Sequence, residues 1–397
     1  MKGKALVISV GTGTRADAQA SLAHGLCYSI TNNNPDYILF IVTTESREKT
    51  LPLIKANLGD YDKRVEEHLI TNSDDLMELY GEFCNLIRDL KKQFQTVTVD
   101  FTSGTKAMSS ALSMAGCMLE VDQLCYITGP KKDGITINGQ ERALTVAPLE
   151  ITADRKYAEA VTIFNRYQYA AVLLIIEEVE HMTSSDKVLD KFRELKSCAR
   201  AYSAWDKFDH QAAMQCLEDV SSSDFDENKR FLHELAKNPD KEPRYIADLI
   251  NNAKRRAEEG KYDDAVARLY RTIELLSQYS LRGYGINDTS KVPVNQIPER
   301  LIEKYQLGQK GEVKVALDLG WNILAEKGDP AGIKFVNDNS IKDSLGKRNK
   351  SILAHGLTPL SQDDFSKFVK PVLQYSQMKI KEIDRFMSLS SFRQWPV

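Results

Sequence analysis

A chain of 397 residues is too long for one ordinary hydrophobic core and calls for two or three units. Its 53 Lys and Arg against 56 Asp and Glu leave a net charge of -3, so bulk basicity gives no basis for nucleic-acid binding and any phosphate-binding surface must be local. With 42% hydrophobic and 27% charged residues the composition is globular, which excludes disordered, collagen-like and coiled-coil classes. The longest strongly apolar run, Ala170 to Ile176, is far short of a membrane span, so no membrane association is expected. Met1 to Val10 runs into Gly11-Thr12-Gly13-Thr14 without a cleavage site and reads as a first strand, not a signal peptide. Six cysteines without a C-x-x-C pair read as buried thiols of a reducing compartment, and a cytoplasmic protein is expected.

The first 150 residues alternate strand and helix patterns. Ala5 to Val10, Tyr37 to Val42, Thr96 to Phe101 and Leu124 to Thr128 read as strands. Asp74 to Phe94, with Asn72, Ser73 and Asp74 as N-cap candidates, and Ala107 to Leu119 read as helices. This alternation predicts a mainly parallel sheet with helices on both faces. Ile135 to Val146, around Asn138-Gly139, predicts a hairpin closing the sheet edge. After about residue 150 strand signals become rare. Tyr157 to Glu180, Asp186 to Asp219, Tyr245 to Leu281, Glu312 to Glu326, Ser340 to His355 and Gln362 to Met387 are helical, and Asn238 to Pro243 is the best linker candidate. The fold expectation is α/β + α, with an α/β domain over 1–150, a helical connector over 151–240 and an all-α domain over 241–397.

Two loops of the α/β part carry ligand chemistry. Gly11-Thr12-Gly13-Thr14 lies where the first strand meets the first helix, where glycines let backbone N–H groups approach anionic oxygens closely. It is a poor dinucleotide fingerprint, because the second strand ends in Thr43-Thr44 without the usual acidic residue. Thr102-Ser103-Gly104-Thr105-Lys106 follows the strand that begins at Thr96 and opens a helix; it lacks the Walker spacing but offers hydroxyls, N–H groups and one ammonium. Strands in the first and fourth positions often flank the switch point of such a sheet, which would place both loops in one crevice and point to a phosphate or nucleotide ligand.

The C-terminal part contains Lys347-Arg348-Asn349-Lys350-Ser351-Ile352-Leu353-Ala354-His355-Gly356. On one continuous helix, Arg348 and His355 would share a face about 10.5 Å apart along the axis, with Gly356 ending the helix and His355 in its last turn. There the macrodipole would favour the protonated imidazole. A histidine can relay protons as a ribose 2′-hydroxyl attacks its phosphate, and an arginine can oppose the growing charge. One helix cannot place both on a single phosphate, but two helices related by a twofold axis can share a site. The segment Ala257 to Leu276 also resembles one tetratricopeptide unit without a second copy, so Tyr262, Ala265, Leu269 and Ile273 read as a core face. Arg268 and Arg271 could project elsewhere, toward the active site, but exposed salt bridging is the default.

Taken together, the loops and the R-x6-H pattern resemble the CARF–HEPN ribonucleases of type III CRISPR systems, in which a Rossmann-like sensor precedes a helical nuclease domain; Asn349 fits the common form of the motif. The resemblance implies a homodimer without a stable protein partner. Gly11, Thr12, Gly13, Thr14, Thr102, Ser103, Gly104, Thr105 and Lys106 would bind a cyclic oligoadenylate activator, cyclic tetra-adenylate by preference. Arg348, Asn349 and His355 of paired protomers would cut single-stranded RNA to a 2′,3′-cyclic phosphate without metal or cofactor. It also raises slow cleavage of the activator within the sensor domain. The connector, 151–240, carries no resemblance. Without that family, two readings stay open: a non-catalytic, nucleotide-responsive helical adaptor, and an NAD- or nucleotide-dependent enzyme.

Overall fold

Strand β1 (Lys4–Val10) is buried from Ala5 onward, as a strand is when both faces of its sheet are covered. The computed structural model describes residues 3–13, 16–58, 64–132, 135–183, 185–308 and 310–396. After β1 come α1 (Ala16–Asn33), β2 (Tyr37–Val42), α2 (Thr44–Lys49), α3 (Leu51–Leu58), β3 (Arg64–Leu69), α4 (Leu76–Gln93), β4 (Thr96–Asp100) and α5 (Lys106–Met118). Then follow β5 (Gln123–Thr128), β6 (Lys131–Lys132), β7 (Ile135–Thr136) and β8 (Arg142–Val146). The main sheet runs β3-β2-β1-β4-β5-β8. Its strands are parallel except β8, which is antiparallel to β5.

Alternate side chains of β1 serve two cores. Ala5 and Val7 join Phe83 and Ile87 of α4 and Leu112 of α5. Leu6, Ile8 and Val10 join Leu26 and Ile30 of α1 and Ile54 of α3. This is the Rossmann-like architecture expected, with the order reversing between β1 and β4. Three details differ from expectation. Asp75 caps α4, accepting from the N–H groups of Met77 and Glu78 at 3.0 Å each, because the candidates upstream lie one to three residues too early. β7 pairs with β6, and β8 pairs with β5, so the two halves of the expected hairpin belong to different sheets. β3 escapes the hydrophobic pattern because it is an edge strand of sequence Arg64-Val65-Glu66-Glu67-His68-Leu69, exposed along most of its length.

The remainder is helical: α6 (Pro148–Phe164), α7 (Tyr169–Met182), α8 (Asp186–Trp205), α9 (His210–Glu218), α10 (Asp226–Lys237), α11 (Glu242–Glu258) and α12 (Tyr262–Arg282). The two-residue strands β9 (Val292–Pro293) and β10 (Glu312–Val313) pair on either side of α13 (Glu299–Lys304). They lead to α14 (Leu317–Glu326), α15 (Pro330–Asn337), α16 (Asn339–Asn349), α17 (Gln362–Lys379) and α18 (Ile383–Leu389). Several expected long helices are broken. Tyr167 and Phe208 adopt left-handed backbone at the breaks between α6 and α7 and between α8 and α9, and Ile380 to Glu382 separates α17 from α18.

The chain divides into two units: Met1–Ala158 with Glu178–Leu189, and Glu159–Glu177 with Asp190–Val397. The linker candidate at Asn238 joins α10 to α11 inside the second unit, where Asp240 N–H closes a turn on Asn238 Oδ1 at 2.9 Å. Within that unit α12 is the central helix, packed by α11, α14, α16 and α17. Ala265, Leu269 and Ile273 are fully buried along it, as their spacing predicts. Arg268 pairs with Asp264 and Arg271 with Glu274, the surface bridging taken as the default. Trp321 stacks on Phe335 at 4.5 Å, next to Tyr375.

Candidate active site and ligand loops

In the first unit, the adjacency of β1 and β4 brings the two glycine-threonine loops into direct contact. Ser103 is the joint: its hydroxyl donates to the Ser9 carbonyl at 2.6 Å, and Gly11 N–H donates to that hydroxyl at 3.0 Å. The Ser9 hydroxyl returns a bond to the Ser103 carbonyl. Gly11 is required by space, since a Cβ there would lie 2.6 Å from the Gly104 nitrogen. Thr105 caps α5, accepting from Met108 N–H at 3.1 Å and donating to the Ser73 carbonyl at 2.6 Å. Thr102 accepts from Ile127 N–H at 2.8 Å. Gly13 is held through its carbonyl by Gln19 at 3.1 Å, while Thr12 is half-buried and Lys106 is exposed. Thr14 lies outside the described residues.

The expected ligand residues thus divide by task. Ser103, Thr102 and Thr105 spend their hydroxyls on joining strands and capping a helix, whereas Lys106 is exposed at the start of α5. Sequence reasoning missed Asp100 and Ser29, which lie beneath the loops. Asp100 is fully buried, accepts from Thr102 N–H at 2.7 Å and from the Ser29 hydroxyl. Burial raises its pKa, and the bonds from Ser29 and Thr102 act against that rise. A lone acid at a strand's end carries no sequence signal separating such a role from an ordinary turn.

In the second unit, Arg348 and Asn349 end α16. Asp338 caps the helix's start, accepting from Ser340 N–H at 2.9 Å, and is itself held by the Tyr375 hydroxyl at 2.8 Å. Lys347 secures the other end by an ion pair with Asp364 at 2.8 Å. The expected continuous helix through His355 is corrected here: α16 stops at Asn349, capped by Lys350, and the chain turns back on the helix end. His355 N–H donates to the Asn349 carbonyl at 3.2 Å and Thr358 N–H to the Lys350 carbonyl at 3.0 Å. These bonds satisfy carbonyls that another turn of helix would otherwise have used. Gly356 lies in this turn and does not end a helix, and the macrodipole argument for His355 does not apply.

The turn keeps the backbone of His355 against the end of α16 through that bond to Asn349. Arg348 is half-buried and lies over the Tyr270 ring of α12 at 4.0 Å. Its Nη1 donates to Asn349 Oδ1 at 3.2 Å, and its Nε is buried without an acceptor. Asn349 and His355 are exposed. Tyr270 was missed because nothing in the sequence links it to Arg348. Among the described residues no group of three or more His, Cys, Asp or Glu side chains is placed to hold a metal ion.

The Lys347 ion pair has a pH signature. The Lys347 ammonium, with the Ser361 hydroxyl, holds Asp364 down to about 2, below the ordinary carboxylate value of about 3.9. A carboxylate depressed on folding stabilises above its unfolded pKa and ceases to do so as pH falls through the folded value. The stability gap between wild type and Asp364→Asn is therefore expected to be widest at neutral pH and to narrow between about pH 4 and pH 2. Urea melts at pH 7, 4 and 2.5 check this; a gap that stays constant would argue against the pair.

With this geometry in place, comparison with known families is informative. Residues 153–243 match the Csm6 6H domain and residues 235–379 the Csm6 HEPN domain. The chain belongs to the Csm6 family. The 6H match covers most of the connector, which had carried no resemblance. Among solved structures, Enterococcus italicus Csm6 bound to cyclic hexa-2′-fluoro-hexa-dAMP matches over 98% of each chain at a TM-score of 0.66 and 13% identity. At that identity the match establishes the shared CARF-plus-HEPN fold. Can2 from Sulfobacillus thermosulfidooxidans in complex with cyclic tetra-adenylate covers 59% of this chain and 69% of its own at 12% identity and a TM-score of 0.25, too low to argue from. Curated protein sequences give no match. Among the described residues no helix is long and apolar enough to cross a membrane.

Proposed function

We propose that this Csm6-family nuclease is a cyclic-oligoadenylate-activated, metal-independent endoribonuclease cutting single-stranded RNA in type III CRISPR defence. The supporting observation is the turn after α16, in which the His355 N–H is bonded to the carbonyl of Asn349, the neighbour of Arg348. In this reading exposed His355 serves as proton relay, and Arg348, held over the Tyr270 ring, opposes the charge that grows on the phosphate. This chemistry needs no metal and leaves a 2′,3′-cyclic phosphate and a 5′-hydroxyl. Domain limits of 1–150 for the sensor, 151–240 for the connector and 241–397 for the nuclease are part of the proposal. So are a cytoplasmic location and the absence of a stable protein partner.

The active form is a homodimer with the two turns facing one another. Ile352, Leu353 and Leu357 beside the motif are 64%, 47% and 86% exposed, an apolar cluster suited to cover by a second copy. In the sensor unit, Gly11, Thr12, Gly13, Thr14 and Thr102 to Lys106 form the ring's binding edge, with backbone N–H groups and the Lys106 ammonium meeting phosphates. A tenfold activation needs only about 1.4 kcal/mol of differential binding between states, less than one charge-assisted hydrogen bond contributes. Slow cleavage of the ring within the sensor is a second, subordinate activity.

The test is cleavage of a single-stranded RNA with cyclic tri-, tetra- and hexa-adenylate and without activator, in EDTA, with product ends mapped. Tetra-adenylate is the expected activator, and hexa-adenylate is the main comparison. Activity lost in chelator and restored by magnesium would overturn the metal-free reading. Lys106→Ala should raise the activator concentration for half-maximal cleavage roughly tenfold, one lost charge-assisted contact, while the rate at saturating activator stays unchanged. A wild-type activation curve would remove Lys106 from the binding edge.

A further inference from the structure

Arg348 has an unusual environment for a surface-region arginine. Its guanidinium is half-buried, forms no ion pair among the described residues, and keeps Nε buried without an acceptor. Arginines kept for stability have their donors satisfied, because an unpaired buried donor is costly. What holds Arg348 is the face of Tyr270, 4.0 Å from guanidinium carbon to ring centroid. Stacking leaves the guanidinium edge, the part that grips phosphate oxygens, outside the contact. Tyr270 is well placed to fix that plane. It is half-buried on α12, one residue from fully buried Leu269, and α12 packs directly on α16.

We propose that Tyr270 is a positioning residue for Arg348: its ring sets the plane of the guanidinium before RNA arrives, and its hydroxyl takes no part. An arginine without that ring would sample several rotamers, and ordering it would fall on the transition state. The loss should therefore appear in kcat more than in KM. This inference rests on Arg348 serving the cleavage reaction, so Arg348→Ala is included as a separate arm.

The experiment measures steady-state RNA cleavage at saturating activator for wild type, Arg348→Ala, Tyr270→Phe and Tyr270→Leu, with activator binding and Tm for each. Tyr270→Phe keeps the ring and should stay within about twofold of wild type, whereas Tyr270→Leu, which fills similar space without a π face, should lower kcat roughly 3- to 30-fold, the range expected for a partly desolvated cation–π contact. KM and activator affinity should stay unchanged. Equal rates for Tyr270→Leu and wild type, with Arg348→Ala inactive, would overturn the positioning role and leave the nuclease reading intact. An equal loss in Tyr270→Phe would overturn it too, by showing that the hydroxyl is what matters. Wild-type cleavage by Arg348→Ala would remove the reading on which it stands.

Discussion

His355→Ala should abolish RNA cleavage while leaving activator binding at its wild-type affinity. The histidine is exposed on the turn after α16, so its removal leaves no buried cavity. A proton relay typically contributes about 10²–10⁴ in rate, so cleavage should fall by at least the lower of these factors. The sensor loops belong to the other unit and do not include His355, so equilibrium binding of the ring is a clean control. Single-turnover cleavage and ring-binding titrations on one preparation are sufficient. Unchanged cleavage would show that the imidazole is not the relay. Loss of ring binding would show instead that the substitution damages the whole chain.

Gly356→Ala should also impair cleavage, at least tenfold, by a different route. A Cβ at this position would lie 2.1 Å from the Lys350 carbonyl oxygen and 2.7 Å from its Cα. No rotamer change can relieve a clash between one backbone and another, so the turn must open. Thr358 N–H now donates to that same carbonyl at 3.0 Å, and the opening would break or lengthen the bond. Forcing extra volume into a packed site costs about 1–3 kcal/mol. Displacing a catalytic group by about 1 Å can cost roughly 10² in rate. The expected result is a lowered Tm with wild-type helical circular dichroism and cleavage reduced at least tenfold. A variant with wild-type rate would mean that the turn tolerates expansion and that its shape does not set the site.

The two variants separate chemistry from geometry. His355→Ala removes a group and leaves the turn, whereas Gly356→Ala keeps every functional group and moves one of them. If both are inactive while Gly356→Ala alone loses stability, the turn and the imidazole are each required.

Much of the sensor fold was legible because parallel strands buried on both faces produce unbroken apolar runs such as Ala5 to Val10 and Tyr37 to Val42. The contact between the loops at Gly11 and Gly104 was also legible, through the rule that the order reverses between β1 and β4. What escaped notice there were the supports. Ser29 and Asp100 are polar residues on separate elements, and only folding shows that they hydrogen-bond to one another. In the nuclease unit the motif was visible, but its conformation was not. Seven-residue spacing puts Arg348 and His355 on one face only while the helix continues, and the decision to stop lies in bonds to Asn349 and Lys350 from residues further on.

Local order in the chain was enough to establish an α/β half, a helical half, two glycine-threonine loops and an arginine-histidine motif, because periodicity and spacing are properties of neighbouring residues. Where α16 ends, what Arg348 rests on and which acid lies under the loops depend on packing between segments far apart in the chain. Such packing leaves no local pattern: Tyr270 stacks on Arg348 because α12 and α16 lie side by side, and no run of residues around either one encodes that contact.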